Sequence, residues 1–154
     1  MTTLGSCIAA CLWDRQAKVG GLNHFLLPEG DGGRYGSFAM EQLINELMKR
    51  GATRPGLEAK VFGGAQVIAG MDSMNVGARN TQFVLDYLKT ERIQVISKDV
   101  LDIHPRKVCF VPATGKALVK RLPATHAASL LAQERAAAQA AMQSSASSAS
   151  VELF

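Results

Sequence analysis

Residues 2–14, TTLGSCIAACLWD, decide how the rest of the chain is read. Leu4, Ile8, Ala9, Ala10, Leu12 and Trp13 leave almost no polar face, so the segment is predicted to be a buried strand, not a signal peptide, since no basic leader precedes it. Asp14–Lys18 is a short polar turn, and Val19–Leu27, VGGLNHFLL, is a second apolar run. Two such runs around a short loop predict a β-hairpin.

That hairpin carries the chemistry-bearing residues. Gly5-Ser6-Cys7 puts a thiol inside an apolar strand, beside a glycine that lets another backbone or a substrate come close. A buried intracellular cysteine is ordinarily one more small hydrophobe, and a histidine on an apolar strand is ordinarily a satisfied core residue. Pairing about the turn centre nevertheless takes position 7 to roughly position 25, within a residue of His24. A thiol beside a neutral imidazole can surrender its proton, and the thiolate is the nucleophile. A third group usually fixes the imidazole, and Thr2 and Thr3 are near enough in sequence to do so. The residues alone leave both readings open. Cys11 shares a strand face with Cys7 but lacks the Gly-Ser context, and Cys109 lies in an apparent core strand, so both are read as structural.

Outward from the hairpin, Glu29–Tyr35 is Gly-rich loop, and Ser37 is the expected N-cap of a helix whose Ala39, Leu43, Ile44, Leu47 and Met48 keep a 3.6-residue period up to Gly51. Leu57–Phe62 alternates as a strand and ends at Gly63-Gly64, whose exposed N–H groups suit an oxyanion or a plain turn. Residues 66–78 read as loop, with Met71 and Met74 as packing residues. Ala78–Glu91 is a second amphipathic helix; Arg79 and Asn80 at its start fit substrate contact and loop anchoring equally. Ile93–Val100 is a strand, and Arg106–Pro112 with Lys116–Leu122 form a hairpin around Thr114-Gly115. The expected fold is α/β (α+β), a layered sandwich of mixed sheet packed with two amphipathic helices. Three parts are expected: a domain at 1–123, a loosely attached Ala-rich helix at 124–143, and a flexible Ser/Ala tail at 144–154 ending in VELF, read as a docking element.

Composition narrows the function. With 154 residues, 47% hydrophobic and 19% charged, the chain can build a core without cross-links. Three cysteines and no export signal predict reduced thiols in a cytoplasm. The histidines are scattered and no zinc-finger spacing follows Cys7 and Cys11, so no metal is expected. No apolar run approaches the ~20 residues of a membrane span. Residues 1–123 carry sixteen Lys/Arg and eleven Asp/Glu, dispersed and without an aromatic stripe, which argues against nucleic acid and fits approach to an acidic protein partner.

Six stretches in order, TLGSCIAACLWD, VGGLNHFLLP, RYGSFAMEQLINEL, LEAKVFGGA, NVGARNTQFVLDYL and RKVCFVPATGKALVKRL, resemble the bacterial chemotaxis receptor-modifying deamidases called CheD. The terminal VELF is similar to endings in that family. The resemblance implies a layered α/β fold related to a cytotoxic bacterial deamidase domain. It implies hydrolysis of glutamine side-chain amides on methyl-accepting chemotaxis receptors, giving glutamate and ammonia. Cys7 then falls on the family's cysteine, His24 on its histidine, and Thr2 or Thr3 on the threonine that orients it. No cofactor is implied, and in some bacteria a CheC-type phosphatase is a partner. Backbone N–H groups beside Cys7, at Ser6, with Gly63-Gly64, are then candidates for the oxyanion site. The chain departs from the pattern twice. Members normally carry some twenty or more residues before LGSC, and many have a Gly-Gly turn after the strand near residue 100, where this chain has Leu101-Asp102-Ile103-His104. A receptor glutamyl methylesterase and a non-enzymatic adaptor are the alternatives.

Overall fold

The computed structural model describes residues 1–27, 32–66, 75–143 and 150–153. Its strands are β1 (Thr2–Leu4), β2 (Ile8–Asp14), β3 (Val19–Phe25), β4 (Leu57–Gly63), β5 (Gln94–Val100), β6 (Arg106–Val111), β7 (Lys116–Arg121) and β8 (Ser150–Leu153). The helices are α1 (Gly32–Lys49), α2 (Val76–Thr90) and α3 (Ala127–Gln143). One sheet has the order β5-β4-β2-β3-β8 and the other β1-β6-β7. The expected layered α/β sandwich is the fold observed.

The predicted hairpin is there, with Ile8 opposite Phe25 and Asp14 opposite Val19. The strand expected over 2–14 is two strands, because Gly5–Cys7 crosses from one sheet to the other: β1 pairs with β6, and β2 pairs with β3 and β4. Central β2 is apolar on both faces because both are covered. Ile8, Ala10 and Leu12 pack against Ala39, Met40, Leu43, Ile44 and Leu47 of α1 and Val84 and Leu88 of α2. Cys7, Ala9 and Cys11 meet Leu22, Phe62, Leu4, Val108 and Phe110 between the sheets. The molecule is therefore helices on sheet on sheet, and the crossover loop lies where the sheets meet.

Two element starts differ from expectation. Helix α1 begins at Gly32, so Ser37 is inside it and not its N-cap. Gly36 lies so close to Phe83 and Leu27 that an added Cβ would be 2.4 Å from the Phe83 ring. Packing against α2 thus outweighs the low helix propensity of a Gly-rich stretch. Met48, placed on the apolar face by period, is exposed, and Met40 is buried in its stead. Helix α2 starts at Val76, two residues early, because Asn75 caps it by accepting from the Ala78 N–H. Met71 and Met74 lie outside the described residues, as do 28–31 of the expected Gly-rich loop and 144–149 of the expected tail. Of VELF, residues 151–153 lie in β8, which adds to the sheet alongside Gly21–His24.

Candidate active site

The crossover loop is held from several sides. The Cys7 carbonyl accepts the Gly64 N–H at 2.8 Å, and the Gly5 carbonyl accepts the Ala65 N–H at 2.8 Å. Gly63 and Gly64 have φ of 109° and 69°, and a Cβ on Gly63 would stand 2.1 Å from the Cys7 carbonyl oxygen, so only glycine fits. Fully buried Asn80 donates from Nδ2 to the Ser6 carbonyl at 2.8 Å and accepts the Leu27 N–H at 3.1 Å. One amide side chain therefore ties the loop to the end of the His24 strand. Exposed Arg79 donates to the Leu27 carbonyl at 2.8 Å. Asn80 and Gly64 thus sit behind the loop with these groups already engaged.

Alternation along β3 turns His24 to the same side as Leu22, which lies in the core between the sheets. His24 pairs with Ala9, two residues beyond Cys7. Its Nδ1 lies 2.9 Å from Thr2 Oγ1. Thr2 shares a strand face with buried Leu4 and pairs with buried Val108, whereas Thr3 points the other way and pairs with Lys107. Strand parity alone separates the two threonines once Leu4 is placed in the core.

A third group, not anticipated from sequence, completes the cluster. Glu134 of α3 is 8% exposed, and its carboxylate sits in the crossover loop. Oε1 accepts the Gly5 N–H at 2.7 Å and the Cys7 N–H at 3.3 Å. Oε2 accepts the Ser6 N–H at 3.1 Å and the Ser6 hydroxyl at 2.7 Å. A Cβ on Gly5 would come within 3.0 Å of Oε1. The signal in the sequence is a carboxylate at the end of an apolar stripe, since Ala127, Leu130, Leu131 and Glu134 recur on one helical face.

The electrostatics follow from this packing. Burial pushes the Cys7 thiol far above its ordinary range, and the negative charge of Glu134 and a hydrogen bond with it push the same way. Cys11 is pushed up to about 12 by burial, with Lys60 pulling against it. Cys7, His24 and Glu134 each bring one ligand atom within 4.8 Å of the others. Such a donor set suits zinc in kind, but both carboxylate oxygens already accept N–H or O–H groups.

Among the described residues no helix is long and apolar enough to cross a membrane. The chain matches the family described as CheD chemotactic sensory transduction over residues 27–121. It is 61% identical to the "Probable chemoreceptor glutamine deamidase CheD 1" of Albidiferax ferrireducens over 158 aligned positions, covering 100% of this chain and 68% of that protein. It is 54% identical to the "Probable chemoreceptor glutamine deamidase CheD" of Xanthomonas campestris pv. campestris, and 52% identical to that of Stenotrophomonas maltophilia. Each of these two matches covers 99% of this chain and 79% of the relative. With the glycine-bound cysteine loop, the histidine strand and this degree of identity along its whole length, the chain belongs to the CheD family.

Proposed function

We propose that this chain hydrolyses glutamine side-chain amides of chemoreceptors to glutamate, with Cys7 as nucleophile, His24 as general base and acid, and Thr2 orienting His24. The observation that carries the reading is the convergence of Cys7 and His24 with Thr2 bonded to Nδ1. When Nδ1–H donates to Thr2, Nε2 is the nitrogen that exchanges a proton with Cys7. The names of the relatives support the reaction and the substrate.

An amide nitrogen is a poor leaving group. His24 takes the Cys7 proton as sulfur attacks the carbonyl carbon, then returns it to nitrogen as the C–N bond breaks and ammonia leaves. Water then attacks the thioester, giving up a proton to His24, and the carboxylate is released with the thiol restored. The Oε1 position, which accepts the Gly5 and Cys7 N–H groups, supports placing the oxyanion there. Asn80 and Gly64 then contribute by fixing the loop, and Arg79 by anchoring Leu27.

Ammonia release from a receptor cytoplasmic fragment tests the reading. The expected result is ammonia in step with glutamate formed, lost in Cys7→Ser; methanol from a methylated fragment with no ammonia would make the chain an esterase instead. A cytoplasmic location and a CheC-type phosphatase partner belong to the same proposal, supported by the family resemblance alone. Co-purification with such a phosphatase is the test of the second.

A further inference from the structure

The carboxylate in the crossover loop differs from a glutamine side chain only by oxygen in place of NH2. It is identical to the side chain that deamidation produces. Glu134 reaches the loop from an exposed helix, flanked by Ala132, Gln133, Arg135 and Ala136, most of whose surface faces solvent. Backbone N–H groups of Gly5, Ser6 and Cys7 and the Ser6 hydroxyl all donate to its head group, beside its hydrogen bond with the Cys7 thiol. Successive N–H groups of this kind form an anion-binding concavity. Among the described side chains of the helix the rest of the docking is slight: Ala127 is buried, and Leu130 and Leu131 are half-buried.

We propose that Gly5–Cys7 is a binding site for a glutamine or glutamate side chain presented on a helix, and that α3 is its internal, product-like occupant, which a substrate helix must displace. This rests on the reading of Cys7 as the nucleophile and adds how its site is filled. Oε1 meets the Gly5 and Cys7 N–H groups and corresponds to a substrate carbonyl oxygen. Oε2 meets the Ser6 N–H and the Ser6 hydroxyl, donors that match the second oxygen of the carboxylate product. A substrate NH2 in that position needs the hydroxyl to turn and accept its bond and the Ser6 N–H to point elsewhere. While Glu134 is seated, Cys7 is 3% exposed and a negative charge stands beside the sulfur that would have to ionise. Undocking α3 both uncovers the thiol and removes that charge.

The test is the alkylation rate of Cys7 by iodoacetamide in the full chain, followed by peptide mass spectrometry, for the natural protein, Glu134→Ala, Leu131→Asp and Gln133→Ala. Loss of the occupant is expected to raise the Cys7 rate roughly tenfold or more in Glu134→Ala. Leu131→Asp, which disturbs docking while keeping the carboxylate, is expected to raise it too, whereas exposed Gln133→Ala leaves it unchanged. Equal Cys7 rates in all four folded proteins would overturn the proposal. If Glu134→Ala does not fold, Leu131→Asp decides by itself. The readout is independent of turnover. Faster alkylation without receptor deamidation would sink the proposed function and keep this site, while unchanged alkylation in a protein that deamidates receptors would do the reverse.

Discussion

Thr2 Oγ1 stands 2.9 Å from His24 Nδ1, joining β1 of the small sheet to β3 of the large one. The bond crosses between sheets that share no strand, so the orientation of His24 depends on how β1 lies against β3. Replacing Thr2 by Ala removes one neutral hydrogen bond, worth about 0.5–1.5 kcal/mol, and kcat for receptor deamidation is expected to fall about tenfold. Thr3→Ala, on the opposite strand face, is expected to leave kcat within about twofold, since surface changes of this kind cost little. Steady-state rates of the two variants decide between them.

Asn80 reads in sequence as a possible substrate contact at a helix start, but its amide is spent on the Ser6 carbonyl and the Leu27 N–H. Asn80→Ala orphans two buried backbone groups at about 1–3 kcal/mol each. Urea unfolding is expected to show a loss of roughly 2–4 kcal/mol, with deamidation lowered as the loop loosens. Arg79→Ala, at an exposed position, is expected to cost about 1 kcal/mol or less.

Leu101 and Asp102 occupy the left-handed region, with φ of 64° and 69°. That is the conformation glycine adopts without steric cost. Leu101 N–H donates to the Gly63 carbonyl at 2.9 Å, so the turn is fixed against the strand that supports the Cys7 loop. The left-handed cost for a residue with a Cβ is about 1–2 kcal/mol, and glycine returns about 0.5–1 kcal/mol of that as unfolded-state entropy. Leu101→Gly is expected to raise stability by up to about 1 kcal/mol, read as a higher urea midpoint at unchanged slope.

Arg106 is fully buried and bonds Asp99 through Nε at 3.1 Å and Nη2 at 2.9 Å, and Arg121 reaches the same carboxylate at 2.9 Å. Burial works to raise the pKa of Asp99, but hydrogen bonds from Arg121 and Arg106 and their charges outweigh it and hold it below the usual carboxylate value. The unfolded carboxylate titrates near about 3.9, so this stabilisation is complete above that value and is lost as pH falls through the lower folded-state value. Asp99→Asn leaves a buried guanidinium without its counter-charge, at about 3 kcal/mol. Unfolding free energy measured from pH 7 down to pH 3 is expected to fall less steeply in Asp99→Asn than in the natural protein.

The hairpin was legible because apolar residues without a polar face, a short polar turn and a second apolar run admit few other folds. Its register was nearly so: Ile8 faces Phe25, which puts position 7 opposite 26, one residue from the expected pairing. The break at Gly5–Cys7 was hidden, since LGSC keeps the apolar character of a strand and only β6, about a hundred residues later, shows that β1 belongs to another sheet. Glu134 was hidden for a related reason. A carboxylate on an Ala-rich helix reads as a solvated charge, and its partners are backbone N–H groups that carry no sequence signature. Arg106 in RKVCFV gave no sign of burial, because its counter-ion Asp99 comes from the strand before it.

The most direct measurement is mass spectrometry of a receptor cytoplasmic fragment incubated with the natural chain, with Glu134→Ala and with Cys7→Ser. The proposed mechanism predicts a gain of about one dalton at particular glutamines, dependent on the Cys7 thiolate, present with the first, faster with the second and absent with the third. Conversion that persists in Cys7→Ser, or none with either of the other two although Cys7 reacts with iodoacetamide, would contradict it.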